Sequence, residues 1–464
     1  MTMLVPIMMF GWVPVTIVIF LLMPPRRAAT TALIAGWLFL PVAVYQLAGI
    51  PDYDKTVATC LPVLLCTVIF DPRRLVRFRP RLYDLPMLAW CVCPLASSVT
   101  NGLGVYDGVS MMMYHVLTWA VPYYLGRIYY WDLEGLRELA LGIVVGALVY
   151  IPFCLWEIRL SPTLHYRLYG FATFKFFTTQ RFGGYRPAVF MRHGIELGMW
   201  MTAGSLLIVW LWWRGALKRL SGIGVEWFVV AQLLTTLFCK SFNGLALLVL
   251  GSVALLTTKA LRTTLPIVCL LVVPLIYIGA RRLELVTTDA LVDAAAIVNE
   301  DRAMSLGIRL VQEEQLVAKA LERPAFGWGG WGRSRLYNDE GENVSLTDGW
   351  WVIVMGQTGL VGLTAMGILM LLPTAAVCWR LRPAEMASPA AAPVVALAVL
   401  LPLYTCDCLM NAMLNPIYVL AMGGLLGWAG QPATAAPRRR PATFPGGTVA
   451  TDGMIDVRHR AGPR

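Results

Sequence analysis

Stretches of about 20 apolar residues, the length an α-helix needs to cross a bilayer core of roughly 30 Å, recur from one end of this chain to the other. Charged breaks separate them, and their recurrence from end to end leaves no room for a separate soluble catalytic domain. Only 14% of the 464 residues are charged and 58% are hydrophobic, against about 25% charged in a soluble domain, so most of the chain must face lipid. Reading apolar runs between charged breaks places spans near 4–23, 30–49, 56–70, 85–99, 108–126, 137–157, 193–213, 225–240, 242–258, 263–280, 348–376, 388–407 and 412–430. The first has no basic residues before it and no small-residue cleavage site, so it reads as a retained helix and not as a signal peptide. The expected fold class is all-α, a polytopic membrane protein with about 12–13 transmembrane helices in residues 1–430.

The net charge of +11 would point to nucleic acid in a soluble protein, but the positions of the charges point elsewhere. Cytoplasmic loops carry the excess of Lys and Arg in membrane proteins. Arg26 and Arg27, then Arg73, Arg74, Arg77, Arg79 and Arg81, then Arg127 and Arg137, then Arg214, Lys218 and Arg219, then Lys259 and Arg262, then Arg380 and Arg382 mark one side. The short loops between them, such as 51–55 and 101–107, are acidic or neutral. This alternation puts the N-terminus outside, the C-terminus in the cytoplasm, and leaves no role for a nucleic acid. The tail 431–464, rich in Pro, Ala, Gly and Arg, is expected to be a disordered basic cytoplasmic segment, with Arg438, Arg439 and Arg440 serving topology or anionic lipid.

Two long external segments, 158–192 and 281–347, interrupt the pattern, and loops of that length in a compact fold are usually functional or disordered. The first carries Arg159, Arg167, Lys175, Arg181, Arg186 and Arg192 and no acid between 158 and 192. A basic solvated surface explains such a run; so does a site for a phosphate or diphosphate, which guanidinium groups grip in bidentate fashion. Phe171, Phe174, Phe176 and Phe177 beside the charges suggest a segment lying in the membrane interface. In the second segment, 305–323 shows Leu310, Val317 and Leu321 at helical spacing, an amphipathic helix ending at Pro324. Arg309 and Glu313 fall four apart on it, where a simple ion pair accounts for both. The glycine-rich run after Pro324 allows close backbone approach, but no Lys-Ser or Lys-Thr comes after it as a nucleotide loop requires. Trp328, Trp331, Trp350 and Trp351 suit either sugar stacking or an interfacial aromatic belt.

Ionisable groups at membrane depth are site candidates by default, and here they are Glu196, Lys240, Asp348 and Asp407. Lys240 and Glu196 also fit snorkelling or an internal pair. Asp348 stands best, at the external mouth of a span just after the long loop, where helix capping is its plain structural role. Of the four histidines only His193 sits near the charged mouth. No H-E-x-x-H or Cys/His cluster occurs, so a metal mechanism has no such ligand set to name. The ten cysteines, among them Cys91, Cys93, Cys406 and Cys408, lie in or beside apolar stretches and read as small buried hydrophobes.

Four segments then fall in a telling order. Gly184-Tyr185-Arg186-Pro187-Ala188-Val189-Phe190 leads to His193 and a span. Lys240-Ser241-Phe242-Asn243-Gly244 precedes an apolar helix. Arg309 runs on to Pro324-Ala325-Phe326-Gly327-Trp328-Gly329. Thr347-Asp348-Gly349-Trp350 is succeeded by Gly356 and Gly359-Leu360-Val361-Gly362. In content and order, over roughly 180–430, the arrangement resembles the O-antigen ligase and O-antigen polymerase family. Those integral-membrane enzymes transfer glycans from an undecaprenyl diphosphate carrier. Asp348 stands where the family's presumed catalytic histidine would be.

The resemblance implies metal-independent, inverting glycan transfer on the outer face of a bacterial inner membrane, with no cofactor. Its partners would be a lipid-linked glycan donor, a glycan or lipid acceptor, membrane lipids and other polysaccharide-assembly proteins. Diphosphate is a good leaving group, so the enzyme must supply positive charge and a base. Arg186 and Arg309 are the first candidates for the diphosphate, with Arg192, Lys240, Arg333 and His193 in support, and Asp348 is the candidate base. A transporter of lipid-linked glycan and an inactive scaffold in an assembly complex are the rival readings.

Overall fold

Lipid offers no partner to a free N–H or C=O, so an apolar segment that crosses it satisfies its backbone within its own helix. The computed structural model describes residues 1–432 apart from 48, 50, 182, 284, 286, 298, 299, 331, 346 and 347, without the side chains of 295, 301, 302 and 305. Trp331, Thr347 and the tail from 433 onward, including Arg438, Arg439 and Arg440, lie outside the described residues.

The first helices are α1 (Leu4–Leu22), α2 (Pro25–Phe39), α3 (Lys55–Phe70), a short α4 (Pro72–Arg77) and α5 (Leu85–Thr100). Next come α6 (Val105–His115) and α7 (Val121–Tyr129), joined by a π-helical turn, then α8 (Leu133–Leu160) and a short α9 (Leu164–Tyr169). Beyond them lie α10 (Gly194–Trp213), α11 (Val225–Phe238), α12 (Phe242–Leu261) and α13 (Leu265–Arg282). After α14 (Thr288–Ala296) and α15 (Glu300–Leu321), the unit closes with α16 (Trp350–Arg380), a short α17 (Pro383–Met386), α18 (Ala392–Met410) and α19 (Pro416–Ala429). Among the described residues, three antiparallel hairpins of two-residue strands interrupt them: β1 (Val44–Tyr45) with β2 (Tyr53–Asp54), β3 (Gln180–Arg181) with β4 (Gly184–Tyr185), and β5 (Arg219–Leu220) with β6 (Ile223–Gly224).

Among the described residues, eight helices are long and apolar enough to cross a membrane, namely α1, α5 with the turn before it, α8, α10, α12, α13, α16 and α18, which fits a multi-pass membrane protein. The apolar helices α3, α11 and α19 are shorter. Two spans expected from hydropathy come out differently. The stretch 30–49 is helical only to Phe39, because Pro41 disfavours helical geometry at Leu40, and the chain passes into the β1–β2 hairpin. The stretch 108–126 is broken by the π turn at Val116–Ala120, where Pro122 has no N–H to give to the carbonyl four residues back. At the centre stand α10 and α18, each 89% buried over its span, while α1 is 28% buried and faces outward.

The break in α16 is the fold's most demanding point. Gly359 has φ 65° and ψ −162° inside the helix, a conformation open essentially to glycine alone. The break frees carbonyls and N–H groups in an apolar setting, and the glycine-rich run after α15 satisfies them. Trp328 N donates to the Gly356 carbonyl at 2.8 Å and Gly329 N to that of Gln357 at 3.0 Å, while Leu360 N donates to the Pro324 carbonyl at 2.7 Å and Val361 N to that of Ala325 at 3.3 Å. Gly327, with φ 69°, packs its Cα against the backbone of Gly356 and Gln357. The two glycine motifs read separately in the sequence thus form one interlocked unit.

Gly359→Ala should destabilise the protein by about 3 kcal/mol or more, because a Cβ there would overlap the Ala325 carbonyl and come within 2.6 Å of Phe326 N, on top of the backbone strain. Gly367→Ala, in the same helix with open space around it, should be tolerated. Thermal unfolding of both variants in detergent checks this, and equal stability would contradict the interlock.

Candidate functional site

The ends of α2, α3, α6, α10, α16, α18 and α19 converge on a cavity of about 580 Å³. Its charged lining comprises Asp54, Lys55, Arg192, Glu196, Arg309, Arg335 and Asp348, and its rings include Trp37, Tyr114, His115, Trp119, His193 and Trp350. Four cations against three carboxylates leave it electropositive.

One wall depends on how α15 is docked. Its buried edge runs through Ala303, Leu310, Leu316 and Ala320, whereas Leu321, expected on that edge, is 40% exposed. The polar anchor is Glu313, which accepts from Arg281 Nε at 2.8 Å, from Tyr277 Oη at 3.0 and 3.1 Å and from Trp351 Nε1 at 3.3 Å. Burial pushes the Glu313 carboxyl up, against the pull of Arg281. Arg281 also donates to the Leu310 carbonyl at 3.2 Å, which ties α15 to α13 and α16. The expected Arg309–Glu313 pair is therefore absent: a buried guanidinium from another helix has claimed Glu313, and Arg309 turns to Asp348, with Nε 3.1 Å from Oδ2. Asp348 does not cap α16 either, since the capping position is Gly349 and it makes no side-chain cap.

The wall at the start of α10 is held from below by Glu157, whose carboxylate accepts from the N–H groups of Leu164, Ala188 and Val189 at 2.7–2.9 Å. Lys55, buried, donates to the Phe190 carbonyl at 2.8 Å and lies over the Trp37 ring. These contacts deliver Arg192, His193 and Glu196 to the cavity. Glu196 accepts from Arg192 N at 2.8 Å. Its cationic neighbours are Lys55 and Arg192, so the internal pair with Lys240 considered from sequence is not formed. Among the described residues, the guanidinium groups of Arg192 and Arg335 have no protein acceptor.

His193 caps α10, its Nδ1 accepting from Ile195 N at 3.2 Å, which places the proton of the neutral ring on Nε2. Burial and then the positive charges of Arg186, Arg309 and Arg181 push this imidazole down to about 4. At neutral pH it is an uncharged donor with no free lone pair, fitted to hold a ligand oxygen and not to take up a proton. Asp54, whose carboxyl burial pushes up, accepts from Tyr114 Oη at 2.9 Å and caps α3 through Val57 N at 2.9 Å.

Of the residues singled out in the sequence, Arg192, His193, Glu196, Arg309, Asp348 and Trp350 line the cavity. Arg186 is buried behind it, lying across Gly194 with Nη2 3.5 Å from the Lys240 carbonyl. It is close enough to His193, like Arg309, to act on that ring. Lys240 reaches the Arg181 carbonyl at 3.2 Å and Arg333 pairs with Asp107 at 3.3 Å; neither lines the cavity. Trp328 closes the end of α15 by donating to the Lys319 carbonyl at 2.8 Å, Trp351 binds Glu313, and Trp350 lines the cavity, stacked on Trp119 at 6.0 Å. Sequence reading missed Asp54, Lys55, Tyr114 and Arg335. A lysine in an otherwise acidic short loop was the available signal for Lys55.

No family model matches this chain, and no curated protein matches it significantly. The chemistry is therefore read from the geometry: an electropositive cavity that can bind a multivalent anion, with a carboxylate and aromatic rings beside it. Anion binding should move His193 upward, because it neutralises the arginines that hold it down. NMR titration of labelled histidine, assigned with the cap-preserving His193→Asn, should show a neutral ring down to about pH 4 and a rise with pyrophosphate. An unchanged titration would mean that the anion does not bind there.

Proposed function

We propose that this chain transfers a glycan from a polyprenyl diphosphate carrier, of the undecaprenyl type in a bacterial inner membrane, to a hydroxyl of a glycan or lipid acceptor on the outer face. The observation that carries the reading is the convergence of two guanidinium groups without a protein acceptor among the described residues, Arg192 and Arg335, with the Arg309–Asp348 pair on one cavity. The ends of α2, α3, α10, α16, α18 and α19 that line it lie opposite the short arginine-bearing loops at 26–27, 73–81, 214–219 and 380–382, which supports an outward-facing site.

In this reading the donor diphosphate lies among Arg192, Arg309 and Arg335, with His193 Nε2–H as a neutral donor and Arg186 as a buried charge behind. The diphosphate competes with Asp348 for Arg309 and so frees the carboxylate. The acceptor oxygen then attacks the anomeric carbon, the carbon–oxygen bond to phosphate breaks with its electron pair going to the diphosphate, and the hydroxyl proton passes to Asp348. A single displacement inverts the anomeric centre. Trp119 and Trp350 offer ring faces to the sugar.

A transporter of lipid-linked glycan is the second reading, and the broken helix α16 favours it, since discontinuous helices beside a binding site are common in transporters. Purified protein with lipid-linked glycan separates the two. Asp348→Asn keeps an oxygen for Arg309 but cannot accept a proton, so transfer should fall by about 100-fold or more while donor binding persists. The pair it weakens is half-exposed and of little weight for stability. Asp348→His should retain part of the activity, with an imidazole as base. Unchanged transfer in Asp348→Asn would remove Asp348 as base. Transfer should also survive chelators; loss restored by a divalent ion would show that the donor binds as a metal complex.

A further inference from the structure

Asp407, near the outer end of α18, is 2% exposed and takes no part in the transfer chemistry above. Its Oδ1 accepts from the side-chain amides of Asn243 on α12 and of Asn411, the latter at 3.0 Å. Its Oδ2 is buried with no hydrogen-bond partner. No cation pairs with it among the described residues. Cys406 and Cys408 on its own helix and Tyr418 on α19 stand near it, all uncharged. Among the described residues, the charged group acting on it is Glu196 on α10, itself an acid, and none of α8, α12, α13 or α16 does so.

An ionised carboxylate in an apolar interior needs a cation or a full set of donors. Two amides on one oxygen, with the other oxygen bare and an acid nearby, supply neither. The surroundings are also connected to the cavity, because Glu196 and Asn411 both line it. Asn411 commits its NH2 to Asp407, which leaves its amide oxygen for a ligand. The Lys240-Ser241-Phe242-Asn243-Gly244 segment gains a purpose as well: Ser241 caps α12 and Gly244 seats against the α10 backbone, so Asn243 is held on Asp407.

We propose that Asp407 is a proton-binding site in the membrane interior, electrically linked through Glu196 and Asn411 to the charge in the cavity. A negative ligand in the cavity strengthens the hold on this proton, so anion binding takes up a proton and tightens as pH falls. The inference does not depend on the ligand being a glycan carrier.

Infrared spectroscopy of the full-length protein in lipid, with and without 13C-carboxyl-labelled aspartate, reads this directly. At neutral pH an isotope-sensitive protonated-carboxyl band is expected, absent from Asp407→Asn and retained in Asp54→Asn. Glu196→Gln, which removes the negative neighbour and keeps an acceptor for Arg192 N, should make the band vanish at lower pH than in wild type. Asn243→Leu, which removes a donor to the charged form, should make it persist to higher pH and identifies the group even if Asp407→Asn does not fold. No such band at neutral pH, a band that survives in Asp407→Asn, or one indifferent to both Glu196→Gln and Asn243→Leu would overturn the proposal.

Discussion

The requirement that no backbone group go unpaired in an apolar setting organises this molecule down to its cavity. It turns the apolar runs into helices, and it makes the break at Gly359 possible only because the 324–329 return supplies the missing partners. That interlock fixes the chain on either side of it. Upstream, it holds the end of α15, and with it Arg309. Downstream, the chain continues through Arg335 to Asp348 and the start of α16. The Glu313 cluster then sets the rotation of α15, so that Arg309 points at Asp348 and not along its own helix.

Electrostatics inside the cavity obey the same demand for partners. Glu157 commits its carboxylate to three backbone N–H groups, and Lys55 commits its ammonium to the Phe190 carbonyl and the Trp37 ring. Arg192 and Arg335 have no such commitment among the described residues, and Arg309 shares its charge with a half-exposed carboxylate. A cavity with uncommitted guanidinium groups at a low-dielectric boundary attracts an anion with several oxygens more strongly than the same charges would in open water. The neutral His193 and the aromatic floor give that anion a partner group on which chemistry or recognition can occur.

Hydropathy carried most of the apolar helices, because each apolar run satisfies its own backbone independently of the others, and it failed at 30–49 and 108–126, where prolines interrupt the run. The amphipathic helix was legible for the same reason, to within five residues at its start. What sequence could not carry is partner choice. Arg333 and Arg309 look alike in the chain, yet Asp107 draws one away while Asp348 holds the other at the cavity. Glu313 looked like the natural partner of Arg309 until Arg281, 32 residues away, claimed it. The β1–β2 hairpin and the Asp54–Lys55 wall were hidden in a loop too short and too ordinary in composition to stand out.

The central claim is that the cavity breaks a sugar–diphosphate bond and does not merely pass its ligand across the membrane. The most direct measurement is the fate of the carrier when purified protein in proteoliposomes meets lipid-linked glycan and an acceptor. The account predicts one free polyprenyl diphosphate for each glycan newly joined to acceptor. Glycan that reaches the other leaflet still attached to its diphosphate, with no carrier released, would contradict it.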